Sequence, residues 1–173
     1  MDEQRIGEIL GKIQQVRAAV YGDFCLDAYW MLDPQGSEVS VETGLQAQAV
    51  ARHYYSLGGA SNVVANLAAL EPAAIQVIGA VGGDLYGREL RRQLEALGVD
   101  TAALVVQDEH YDTVTFAKPY LGECEQSRMD FGFFNRRSEA TDEALLAGIR
   151  RALETADVLI ANQVVGRGKV QRL

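Results

Sequence analysis

The chain has 173 residues, 48% of them hydrophobic and 23% charged, which suits one globular domain with a real core and excludes two comfortable ones. A formal net charge of -8 argues against nucleic acid or an anionic membrane as partner, since both demand a basic face; a local basic pocket for a phosphorylated substrate stays compatible with it. No apolar run approaches the roughly 20 residues that span a bilayer, and residues 1–15 lack the charged-then-apolar order of a signal peptide.

Those first residues place Ile6, Ile9, Leu10 and Ile13 on one face of an amphipathic helix. Residues 17–21 read as a short buried strand that turns at Gly22-Asp23. Residues 28–57 differ in character, mixing Tyr29, Trp30, His53, Tyr54 and Tyr55 with the loop Asp33-Pro34-Gln35-Gly36, and predict a small β excursion. Gly58-Gly59 then open a helix rich in Ala, Val and Leu that runs to Leu70, with Ser61 and Asn62 as helix-start residues. A β-branched strand over 74–78 closes at Gly79, and a helix over 85–97 is capped by Gly98. A strand over 102–106 follows. Residues 112–134 alternate again, through Val114, Phe116, Tyr120, Met129 and Phe131, as a second β excursion. Thr141-Asp142-Glu143 starts another helix with an N-cap and two acids, 157–161 is a further strand, and 166–173 is basic and unpatterned. Strand–helix alternation at this spacing predicts an α/β fold, a mostly parallel sheet with helices on both faces. The two excursions, about 28–57 and 111–134, are expected to form one small β lid upon it.

Cys25 and Cys124 are the only thiols and neither has metal-ligand spacing, so the expected compartment is the cytoplasm. His53 and His110 are isolated, which speaks against a metal site. Asp23 and Asp27 follow the end of the first strand, where ligands of open α/β sheets bind, and a carboxylate there can accept hydrogen bonds from vicinal sugar hydroxyls. Alone, either is more often a turn or capping aspartate, and Asp23 fits that description better. Gly58 and Gly59 allow close backbone approach before a helix, and Asn62 offers both a donor and an acceptor; alone, they describe an ordinary glycine loop. The turn Gly79–Gly87 fails the dinucleotide fingerprint because Val81 stands where a glycine is required. Gly166-Arg167-Gly168-Lys169-Val170 fails the P-loop pattern, with Val170 in place of Ser or Thr and Gln163 in place of the first glycine.

The combination is more specific than its parts. Gly22-Asp23-x-x-x-Asp27, then Gly58-Gly59-Ala60-Ser61-Asn62-Val63-Val64-Ala65-Asn66, then Gly79-x-x-Gly82-x-Asp84-x-x-Gly87 resembles the first signature region of ribokinase-like (PfkB) carbohydrate kinases, most closely the heptose-phosphate kinase group. Glu42-Thr43-Gly44, Lys118, Arg128-Met129-Asp130-Phe131 and residues 156–162 extend the likeness from about Arg17 to Gly166. The resemblance implies phosphoryl transfer from ATP to a sugar or sugar-phosphate hydroxyl, with ATP and Mg²⁺ serving the complete enzyme. It implies a sugar clamp at Asp27, Gly58, Gly59 and Asn62, and a basic substrate contact at Lys118. Arg128 and Asn162 join the implied set, although Arg128 sits beside Asp130 as a possible ion pair and heptose kinases carry Asp where Asn162 stands. The lid of such kinases covers the sugar and often joins two subunits, which implies a homodimer. The family's Gly-Ala-Gly-Asp segment supplies the catalytic base in the carboxy-terminal half, which also forms the ATP pocket, and that motif occurs nowhere in this sequence. The chain therefore reads as a truncated, amino-terminal, sugar-recognising part that is inactive alone and does not fully bind ATP or Mg²⁺. A non-catalytic sugar-binding or oligomerisation module derived from such a kinase is the other reading.

Overall fold

The computed structural model describes residues 2–163, so the readings placed on 166–173 lie outside the described residues. In chain order the elements are α1 (Glu3–Ile13), β1 (Arg17–Gly22), β2 (Phe24–Leu32), β3 (Val50–Gly59), α2 (Ala60–Ala68), β4 (Ala74–Gly82), α3 (Leu85–Ala96), β5 (Asp100–Gln107), β6 (Thr115–Leu121), β7 (Cys124–Glu125), β8 (Met129–Phe131), α4 (Glu139–Thr155) and β9 (Val158–Asn162).

Four strands in the order β5-β4-β1-β9 make a parallel sheet. Its centre is buried on both faces, which is why β1 and β4 read as continuous apolar runs. On one face Val20, Val77 and Val81 pack with Ala60 and Val64 of α2 and with Leu90 and Leu94 of α3. On the other, Ala19, Tyr21 and Ile78 pack with Leu145 and Ala152 of α4. The fold is α/β with helices on both faces, as the alternation implied. Helix α1 stands apart: Asp2 caps it by accepting from the Arg5 amide at 2.8 Å, and it buries none of its residues. No helix among the described residues is long and apolar enough to cross a membrane.

The remaining strands form a second sheet in the order β3-β2-β6-β7, with β8 also on β6. β2 pairs antiparallel with β3 and parallel with β6. Both β7 and β8 run antiparallel to β6, at opposite ends of it, so they share its outer edge. Only Asp23 separates β1 from β2, so the chain passes from one sheet to the other without a loop. The root is pinned where the Ala60 amide donates to the Asp23 carbonyl at 3.0 Å.

Four local expectations change. The strand expected to close at Gly79 runs on to Gly82. The β excursion begins at Phe24 rather than at residue 28 and ends at Gly59, so Gly58 and Gly59 close a strand and are not a loop. Helix α2 has Gly59 as its N-cap with no side-chain cap bond, so neither Ser61 nor Asn62 caps it. Helix α4 begins at Glu139: Ser138 is the N-cap and accepts from the Thr141 amide at 3.1 Å. Thr141 is drawn inside the first turn, where its hydroxyl donates to Gln107 Oε1 at 2.7 Å.

Candidate functional site

β1 lies between β4 and β9: the chain reaches β4 through α2 on one face of the sheet and reaches β9 through α4 on the other. The crevice beyond the carboxyl ends of β1 and β9 is therefore a topological switch point, where open α/β sheets bind ligands. Gly22 stands in register with Asn162 there, and a methyl group on Gly22 would overlap the Asn162 carbonyl. The same carbonyl accepts from the Asp23 amide at 3.0 Å. Glycine at position 22 is thus what lets the first strand, the last strand and the root of the second sheet meet.

From that root β2 presents alternate side chains on one face of the second sheet, and the register decides their neighbours. Asp27 stands opposite Ser56 and Phe116, while Tyr29 stands opposite Tyr54 and Lys118. Lys118 Nζ lies 2.9 Å from Asp27 Oδ1, and both side chains are about one-fifth exposed, at 18% and 21%. The lysine also sits 5.1 Å above the Tyr29 ring and donates to the Tyr29 hydroxyl at 3.5 Å. Tyr29 in turn stacks on Tyr54 with centroids 4.7 Å apart. Burial pulls the Lys118 pKa down, but the hydrogen bond and charge of Asp27, with help from Tyr29, outweigh it and hold the ammonium above its ordinary value. Lys118 is a fixed cation. Glycine at position 58 lets the Asp27 carboxylate lie close against the strand, since a methyl there would stand 3.1 Å from Asp27 Oδ2.

The other residues singled out in the sequence are placed differently. Arg128 clasps Asp130 at 2.6 and 2.8 Å, with its guanidinium 4.5 Å over the Phe116 ring. That pair borders Asp27 and Lys118 on the same sheet, because Asp130 is in register with Phe116. Asn62 is exposed near the start of α2 and lines an open groove of about 430 Å³ whose walls include Ser56, Leu57, Arg92 and Gln93. Asp27 is not among that groove's lining residues, although Ser56 belongs to both neighbourhoods. Gly59 holds φ at 54° where β3 turns into α2. Asn162 is partly buried at the end of β9. Sequence reasoning missed the tyrosine row on β2 and β3, whose signal was only an excess of aromatics in a polar segment. It also missed Tyr111, whose hydroxyl is pushed up to about 12 by burial first and then by the charge of Asp23.

The glycine turn before α3 does not fit a nucleotide phosphate. Asp84 fills that place: Oδ1 accepts from the Gly87 amide and Oδ2 from the Thr113 amide, each at 2.7 Å. A fixed carboxylate at a helix N-terminus satisfies the free amides and repels a second anion. Among the described residues no group of three or more His, Cys, Asp or Glu is placed to hold a metal ion.

The pfkB family carbohydrate kinase pattern matches residues 18–165. The chain belongs to that family. The bifunctional protein HldE of Wolinella succinogenes is 34% identical over 150 residues, covering 86% of this chain and 30% of the relative. A D-beta-D-heptose 7-phosphate kinase of Bordetella bronchiseptica is also 34% identical over 150 residues, covering 86% of this chain and 45% of its own length. The chain thus spans less than half the length of these curated relatives. A carbohydrate kinase from Agrobacterium tumefaciens superposes with a TM-score of 0.59 at 15% identity, over 85% of this chain and 45% of that one. Arabidopsis thaliana ribokinase, solved with ribose and ATP, gives 0.53 at 16% identity over 67% and 36%. At such identities the likeness is one of fold, and the fold is ribokinase-like.

Proposed function

We propose that this chain is the sugar-positioning part of an ATP-dependent carbohydrate kinase, with a sugar phosphate of the heptose kind as acceptor. The observation that carries the reading is Asp27, a partly exposed carboxylate on the strand that rises from the switch point, lying against Gly58 and paired with a fixed cation. Such a carboxylate accepts from two adjacent hydroxyls, and Gly58 and Gly59 admit the sugar close to the backbone. In this reading Asn62, Lys118, Arg128 and Asn162 are further sugar contacts, and of these Lys118 and Arg128 lie on the same sheet as Asp27. Phosphoryl transfer depends on positioning and on charge stabilisation, and this part supplies the positioning. ATP and Mg²⁺ belong to the complete enzyme: the sequence lacks Gly-Ala-Gly-Asp, and the glycine turn before α3 is closed by its own carboxylate. A homodimer through the second sheet belongs to the same reading, supported by Val39, Val41 and Leu45, which stand 58%, 102% and 70% exposed between β2 and β3.

Calorimetric titration with a heptose 7-phosphate tests the clamp. Asp27→Asn and Asn62→Ala should each weaken binding by about 1–3 kcal/mol, roughly 5- to 150-fold. Unchanged affinity in both variants would sink the assignment. The purified 173-residue chain should show no ATP-dependent sugar phosphorylation, and measurable turnover in a coupled assay would contradict the proposed division of labour.

A further inference from the structure

We propose that Lys118 makes the clamp selective for anionic sugars by occupying the Asp27 carboxylate until another anion draws it away. This deepens the reading above and rests on it. Two adjacent hydroxyls are held best by the two oxygens of Asp27, one each, yet Oδ1 is already engaged by Lys118 at 2.9 Å while Oδ2 lies against Gly58. A neutral sugar held in that way competes with a charge-assisted bond four-fifths removed from water, and it brings the ammonium no new anion. The neighbouring carboxylate is a poor refuge, because Arg128 already engages and neutralises both oxygens of Asp130. A sugar phosphate carries the missing partner with it. Its phosphate takes over the lysine, and its hydroxyls take both oxygens of Asp27, so every charge stays paired. The Tyr29 ring, 5.1 Å from the ammonium, gives the lysine a second contact beside the clamp.

Binding of two ligands to the 173-residue chain tests this, a heptose 7-phosphate and the same heptose without phosphate. In Lys118→Met and Lys118→Gln, affinity for the neutral heptose should rise roughly tenfold while affinity for the phosphorylated one falls. In the unmutated chain, added inorganic phosphate should by itself tighten binding of the neutral heptose, and this arm needs no variant to fold. A neutral-heptose affinity that is unchanged or lower in the variants, together with no effect of inorganic phosphate, overturns the proposal and leaves Lys118 an ordinary phosphate ligand. An unmutated chain that binds neither sugar removes the clamp reading and this proposal with it. If both sugars bind but Asp27→Asn alters neither, the carboxylate has been misassigned and the proposal fails on that ground alone.

Discussion

Ser61 and Gly59 show at the residue scale how narrowly the start of α2 is determined. Ser61 is fully buried, and its hydroxyl finds no hydrogen-bond partner among the described residues. An unsatisfied buried hydroxyl costs about 1–3 kcal/mol, so Ser61→Ala should raise stability by about 1 kcal/mol in urea unfolding, with sugar affinity unchanged. A loss of sugar affinity in that variant would instead assign the hydroxyl to the ligand. Gly59 has φ 54° and ψ -130°, a conformation that side chains avoid, and Gly59→Ala should cost about 1–3 kcal/mol in the same experiment. The glycine pair was plain in the sequence, but which glycine needs backbone freedom was not. Gly58 is a buried strand residue whose smallness matters for Asp27, whereas Gly59 carries the turn. Only the strand register separates those roles.

The junction between α3 and β6 shows at the element scale what a local reading leaves out. That a turn joins a strand to a helix here was legible, but the glycines start it too early: β4 runs on to Gly82, so only Gly83 and Asp84 separate it from α3. An acid before the helix suggests a cap by itself. The second oxygen of Asp84 was not legible, because its partner is the Thr113 amide, 29 residues away. Thr113 returns the contact, its hydroxyl accepting from the Gly82 amide at 2.9 Å. Asp84 therefore ties the first turn of α3 to the chain that enters β6. Asp84→Ala should cost about 2–3 kcal/mol, a lost cap plus a stranded buried amide, and Asp84→Asn should fall between it and the parent in urea unfolding. The start of α4 teaches the same lesson. Thr141 and Ser138 are both good caps by type, and the pull of Gln107 on the Thr141 hydroxyl draws Thr141 into the helix, leaving Ser138 at its end.

The acid limb of stability reports on the whole molecule, because one of its ion pairs joins the starts of the first and last strands in the chain, β1 and β9. Asp157 accepts from the side chain and amide of Arg17, which hold its pKa at about 2. Glu89 is likewise lowered to about 2, by Arg92 above all and against the opposing effect of burial. Both folded values lie below the ordinary 3.8 and 4.5, so this contribution is complete above those values and is lost as pH falls toward 2. Urea midpoints should therefore decline between about pH 5 and 2, and Asp157→Asn with Glu89→Gln should flatten that decline. An unchanged slope in the double variant would place the acid sensitivity elsewhere. The sequence by itself determined the α/β class, the parallel strands and their covering helices, since apolar periodicity and glycine punctuation are local signals that burial on two faces makes strong. It also determined the family, through motifs whose spacing survives along the chain. Tertiary structure alone decided that β2 and β6 lie side by side, and so brought Asp27 to Lys118 across a parallel pairing. Parallel register is set by which faces must be buried and by the crossover between strands, and no local sequence pattern encodes the neighbour that results.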